Sequence, residues 1–278
     1  MKFSHRLGAL LGLLAGLPVA HGAGTSNEFD CMIEPAQIIE IRSPVVGILQ
    51  QVHARRGELI RKGDVLVTIE SSVEQSAADT ALFRSEAQGA LLLAQNKLRA
   101  SREKAKRYQQ LFEEEFVSAQ ARDDAAAEQK LAESELKTAE ENIQLAKLEH
   151  RQSIDQLNRR VLRSPFTGVV MDQYFYPGAL VDAGEGKKPI LKIAQTQPLA
   201  VQAILPFRFF PQIKPGAQAT VVPEKPFGRD IKARIKTVDR VIDSAAGTFG
   251  VVAEIDNAKQ ELPGGIRCKL RIPGLTGG

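Results

Sequence analysis

The chain has no tryptophan, two cysteines, three methionines and four histidines in 278 residues. Each scarcity excludes something. The histidines are scattered at His5, His21, His53 and His150, and Cys31 and Cys268 stand near opposite ends, so no ligand set with zinc-site spacing forms. Met1, Met32 and Met171 make no methionine cluster, which argues against transport of a soft metal. No Ser/His/Asp set is present. The glycine-containing stretch 184–188 lacks the spacing and the following helix of a phosphate loop, and reads as a solvated hairpin loop. Acidic and basic residues alternate around a net charge of +4, so no basic stripe points to nucleic acid. These absences leave a non-enzymatic, cofactor-free protein as the expectation.

Proline and glycine are scarce where that matters most. Between 73 and 157 there is no proline and one glycine, Gly89. In the first part of this stretch a seam runs through Val73, Ala77, Thr80, Arg84, Ala87, Leu91, Ala94, Leu98, Ser101, Ala105, Tyr108 and Phe112. Its steps of four and three are the spacing of a coiled-coil stripe. A second seam runs through Arg122, Ala125, Gln129, Ala132, Leu136, Ala139, Ile143, Ala146, His150, Ile154, Leu157 and Val161. Its consecutive four-residue steps at Ala146, His150 and Ile154 are a stutter that loosens the supercoil locally. Ser118, between the seams, suits an N-cap, and Asp123 and Asp124 suit the positive end of the helix it starts. The spacing predicts an antiparallel helical hairpin over 73–160. Each arm would have about 40 residues and reach roughly 60 Å at 1.5 Å per residue. A single long helix or a dimerising coiled coil is the alternative.

What flanks the hairpin argues against that alternative. Arg42-Ser43-Pro44-Val45-Val46-Gly47 stands before it and Arg163-Ser164-Pro165-Phe166-Thr167-Gly168 after it. Short β-branched runs split by glycine turns surround both phrases, over 31–72 and 161–194. Each half offers about four strands, too few to bury a core alone. The two are expected to pack together into one small sandwich, which requires the chain to come back. Over 195–272 further strands recur every ten or so residues, among them 198–206, 231–235, 238–242 and 248–255, and predict a small antiparallel barrel. The fold class is therefore mixed α+β.

The first residues read as an export signal over 1–23. Lys2, His5 and Arg6 give a basic start, Leu7 to Ala20 an apolar run, and Ala20, Gly22 and Ala23 a cleavage site of small residues. The run is short for a membrane span, which takes about 20 residues. Cys31 lies too far on for a lipoprotein signal. In an oxidising, exported compartment two cysteines most simply pair, and a Cys31–Cys268 disulfide would tie the chain's ends together. Two separate buried thiols are the alternative.

The two flanking phrases, together with Arg56-Gly57, Lys62-Gly63-Asp64-Val65-Leu66, Gly247-Thr248-Phe249 and Leu262-Pro263-Gly264-Gly265, resemble the periplasmic adaptor family, also called membrane fusion or HlyD-like proteins. The resemblance implies a split biotinyl/lipoyl-like domain with the hairpin inserted between its halves, followed by the β-barrel. It implies no attached cofactor, because Glu70-Ser71-Ser72 leads into the helix where a carrier domain has its lysine turn. It also implies partners. These are an inner-membrane transporter, with the resistance-nodulation-division (RND) type favoured and an ABC-type exporter or type I secretion system the alternative, a TolC-type outer-membrane channel, and further copies in a ring of six. Cys31 so close behind the signal and the end at Gly278 leave little chain for the membrane-proximal domain of many RND adaptors, which is expected to be absent or vestigial. Arg107, Leu111 and Ser118 match, in type and spacing, the family's channel-docking tip. Read without the family, Arg107 is a solvated charge, Leu111 a hairpin-closing contact and Ser118 a cap. An exported coiled-coil scaffold with no transporter is the reading from another class.

Overall fold

A computed structural model describes residues 28–184 and 186–275; the expected export signal lies outside them. The described residues form two compact units, one within 34–200 with 256–265, the other of 28–33, 201–255 and 266–275.

The first unit contains the sandwich. The half before the hairpin supplies β2 (Ile38–Ile41), β3 (Gly47–Val52), β4 (Leu59–Ile60) and β5 (Val65–Ile69). The half after it supplies β6 (Val161–Arg163), β7 (Gly168–Gln173), β8 (Leu180–Val181) and β9 (Leu191–Gln195). One sheet runs β2-β9-β7-β4 and the other β6-β5-β3-β8. Exchanging each strand for its counterpart in the other half turns one order into the other, so the sandwich is a pseudo-twofold of the repeated phrases. The symmetry reaches individual atoms. Ser43 and Ser164 are both buried, and each hydroxyl donates to the carbonyl two residues on, Val45 and Phe166. Arg42 donates to the Lys187 carbonyl in the opposite half, and Arg163 to the Gly63 carbonyl. Gly57 N–H donates to Val170 O, and Gly178 N–H to Leu49 O, both at 2.8 Å. Gly57 and Gly178 have φ of 83° and 88°, a left-handed turn that a Cβ disfavours. Both halves fill one core, with Leu49, Leu66, Ile69, Ile190, Leu191 and Ile193 at its centre.

The hairpin leaves after β5 and returns at β6. It comprises α1 (Ser72–Glu86), α2 (Gly89–Glu113) and α3 (Ala119–Asn158), with α1 and α2 both packed on α3. All twelve positions of the expected second seam are buried or half-buried, as are the seven from Leu91 to Phe112. The first arm differs from expectation. It is two helices, because Ala87 adopts an extended conformation with ψ 116°. An extended residue rotates the chain by about 180° where a helical one rotates it by about 100°, so the seam changes phase there. Below the break Val73, Ala77, Thr80, Arg84 and Ala87 are exposed, and Ala78, Ala81 and Ser85 are buried one residue away. The base is clamped by two arginines. Arg159 donates to Pro44 O at 3.1 Å. Arg160 donates to Glu70 O at 2.9 Å and pairs with Glu74.

The second unit contains a closed barrel of order β1-β10-β13-β12-β11-β14. Its strands are β1 (Glu28–Pro35), β10 (Leu199–Pro206), β11 (Gln218–Pro223), β12 (Ile231–Val238), β13 (Thr248–Ile255) and β14 (Ile266–Arg271). Two expectations are corrected. The strand carrying Cys31, assigned to the lipoyl-like half, is a barrel stave, because it pairs over its length with β14. Residues 239–242 form no strand, since β12 already runs through Val238 and the chain then turns back to β13. Cys31 and Cys268 are direct cross-strand partners on β1 and β14 and are disulfide-bonded. The same seam carries two ion pairs, Lys269–Asp30 and Arg271–Glu28, each at 2.6 Å. The Asp30 carboxylate, through its hydrogen bond, holds the Lys269 ammonium above the usual lysine range.

Candidate functional site

The tip of the hairpin is built by two helix ends. α2 stops in a Schellman motif, in which the Phe116 N–H donates to Leu111 O at 2.8 Å and the Glu115 N–H to Phe112 O at 3.0 Å. The residue that reverses the chain is Glu115, with φ of 61°, where glycine is usual. α3 then starts on Ser118, whose hydroxyl accepts from the Ala121 N–H at 3.2 Å. That satisfies one of the amides the first turn leaves without a partner.

Within this frame Arg107 and Leu111 lie four residues apart on one face of α2, and both are exposed. Arg107 makes no ion pair among the described residues, so its guanidinium donors are free for an acceptor outside the chain. Ser118 sits across the turn, with its hydroxyl engaged as the cap. Asp123 and Asp124 fall past the first turn of α3, where the helix dipole does little. Asp123 instead pairs with Arg122 at 2.6 Å, and Arg122 lies 4.3 Å from the centre of the Phe112 ring. This packing closes the arms just below the tip.

Sequence reasoning missed two tip residues. Phe116 is 74% exposed, and Glu115 takes the strained conformation. With no glycine between 113 and 118, the usual residue that marks a Schellman turn was missing. The apolar pair Leu111 and Phe116, at the spacing that flanks such a turn, was the available signal.

Away from the tip the arms are joined by Lys97–Glu135 and Lys104–Glu128, both at 2.6 Å, and by Arg102–Glu133 at 3.4 Å. The hydrogen bond that Lys104 donates to the Glu128 carboxylate raises its ammonium above the usual lysine range. Among the described residues no helix is long and apolar enough to cross a membrane, and no cluster of histidine, cysteine or acidic residues is placed to hold a metal.

A family model for the CzcB-like barrel-sandwich hybrid domain matches residues 37–195, which are the sandwich and its inserted hairpin. The chain belongs to this family. The resemblance to membrane fusion proteins read from the sequence is borne out. The multidrug resistance protein MdtA of Yersinia enterocolitica is 28% identical over 232 residues, covering 80% of this chain and 49% of MdtA. An uncharacterised protein of Haemophilus influenzae is 26% identical over 242 residues, 87% of this chain and 56% of its own. The chain thus spans about half the length of the curated relatives it matches. Among solved structures, MacA of Actinobacillus actinomycetemcomitans superposes with a TM-score of 0.69 at 19% identity, covering 89% of this chain and 78% of MacA. The membrane fusion protein Spr0693 of Streptococcus pneumoniae R6 superposes with a TM-score of 0.59 at 13% identity, covering 90% and 99%. Both support the fold.

Proposed function

We propose that the chain is a non-enzymatic periplasmic adaptor of a tripartite efflux system. It links an inner-membrane transporter, of RND type in the favoured reading, to a TolC-type outer-membrane channel. The observation that carries this is the hairpin itself. A 40-residue helix and its broken partner extend from a self-sufficient sandwich and end in a capped turn with Leu111 exposed and with Arg107 making no ion pair among the described residues. A helical arm of that length buries little and reaches far, which suits a spacer between partners. The multidrug resistance name of MdtA supports efflux as the process. Export through a cleaved signal over 1–23 puts the chain in the periplasm, where the Cys31–Cys268 disulfide is stable. Copies assemble in a ring, of six in this reading, with hairpins side by side. An ABC-type exporter in place of the RND transporter leaves the same architecture.

The test is affinity purification of the tagged full-length chain from detergent-solubilised membranes of its own cells, with the bound proteins identified by mass spectrometry. The adaptor reading predicts both a transporter and an outer-membrane channel, and selective loss of the channel with Arg107→Asp. Recovery of neither, with unchanged self-association, would leave the exported scaffold instead.

A further inference from the structure

The tip carries more than the three residues matched by spacing. Phe116 is a large apolar side chain, three-quarters exposed, at the point of the hairpin farthest from the sandwich. It is not a loose loop residue. Its N–H is bonded to Leu111 O, the Glu115 N–H before it is bonded to Phe112 O, and Ser118 caps α3 two residues later. A rigid turn therefore holds an aromatic ring in water, where its burial would contribute most to an encounter. Two further features oppose local stability. Glu115 sits in the left-handed region, which is unfavourable for a residue with a Cβ. Glu113, Glu114 and Glu115 also place three carboxylates at the C-terminal end of α2, where the helix dipole is already negative. Local choices that disfavour the free fold and converge on one exposed ring are the pattern of a binding site.

We infer that Phe116 is the apolar plug of the docking tip, inserted into an apolar cleft whose rim is cationic on the mouth of the outer-membrane channel. The inference rests on the adaptor reading and adds the anchor and the partner's chemistry to it. Charge complementarity sets the occupant. The three glutamates around the plug repel an acidic rim and favour a lysine- or arginine-lined one, and the free guanidinium of Arg107, on the flank of α2, takes an acceptor beside the cleft. Leu111 lies one turn below the point, and at 36% exposure it offers a smaller contact than Phe116. A single well-placed aromatic carrying most of an interface is the usual distribution of binding energy.

The experiment is ultraviolet crosslinking in intact cells from a photoreactive residue at position 111 of the full-length chain, scoring the adduct with the outer-membrane channel by mass spectrometry. Phe116→Ala is expected to lower adduct yield at least tenfold, and Phe116→Tyr to leave it within twofold. The triple change Glu113→Gln, Glu114→Gln and Glu115→Gln is expected to lower it several-fold. Because Phe116 is exposed, the helical circular dichroism of each variant should match the parent. Parent-like adduct in Phe116→Ala overturns the plug while leaving tip docking in place. No channel adduct in the parent overturns the docking reading, and the plug with it.

Discussion

In the sandwich, Leu49, Leu66, Ile69, Ile190, Leu191 and Ile193 are each no more than 1% exposed, whereas the buried set of the hairpin is Ala78, Ala81, Ala94, Ala125, Ala132 and Ala139 with Leu98 and two serines. Each large aliphatic in the first set contributes about 1.5–3 kcal/mol on burial, and an alanine methyl a fraction of that. The sandwich is thus held by its own core. The hairpin is held by helix propensity, by a close alanine seam and by its two ends. It follows that the sandwich should be intolerant throughout, while the hairpin should be tolerant along its length and sensitive at its base and tip. A spacer built in this way can carry a demanding tip without also needing a demanding shaft.

The widest contrast is between two glycines. A Cβ on Gly168 would lie 1.9 Å from the Ala194 carbonyl oxygen in the neighbouring strand, and backbone there has nowhere to go. Gly168→Ala is expected to destabilise by about 3 kcal/mol or more in urea denaturation. Gly89 in the hairpin meets nothing within 4 Å, and Gly89→Ala is expected to stabilise by about 0.5–1 kcal/mol. Equal effects at the two sites would break the comparison.

The next effect lies where the two regions join. Arg160 is only 16% exposed at its side chain, and it donates to Glu70 O while pairing with Glu74 on α1. Arg160→Ala should cost about 2 kcal/mol in thermal unfolding. Helical circular dichroism at 25 °C should stay near the parent value, since the arms keep their seam. A loss no larger than that of an exposed pair would show that the base is not clamped by this residue.

The smallest effect is on the shaft. Lys104 is raised above the usual lysine range, first by its hydrogen bond to Glu128. A raised lysine contributes stability that is complete below the unfolded pKa and is lost as pH rises through the folded one. The helical melting temperature should therefore dip slightly at strongly alkaline pH, and Lys104→Gln should remove part of that dip. The pair is exposed and the change will be modest. A large alkaline collapse confined to the hairpin would mean that ion pairs, not the alanine seam, hold the arms.

The same contrast explains what could be read from the residues. The sandwich was legible because its two halves repeat one phrase, and the repetition is a pseudo-twofold in space. The second arm was legible at its eleven seam positions from Arg122 to Leu157 because α3 is continuous from Ala119 to Asn158. The first arm was legible only from Leu91 onward. The break at Ala87 has no proline to announce it, and Gly89 alone does not fix where the phase changes. The stave carrying Cys31 was assigned to the wrong domain because its strand partner β14 is far away in the chain and alternation alone does not say which strand a stave pairs with; the expected Cys31–Cys268 bridge, 237 residues in span, was the signal that joined it to the barrel. At the tip Ser118 was legible as a cap. The turn at Glu115 was not, since its strain is visible only in the backbone.

The most direct measurement is site-directed photocrosslinking in intact cells, with the photoreactive residue at position 111 and a mid-hairpin control at position 91. The account predicts an adduct with a TolC-type channel from position 111, none from position 91, and loss of the first in Arg107→Asp. Adducts only between copies of this chain, from both positions, would contradict channel docking and make the hairpin a self-assembly device.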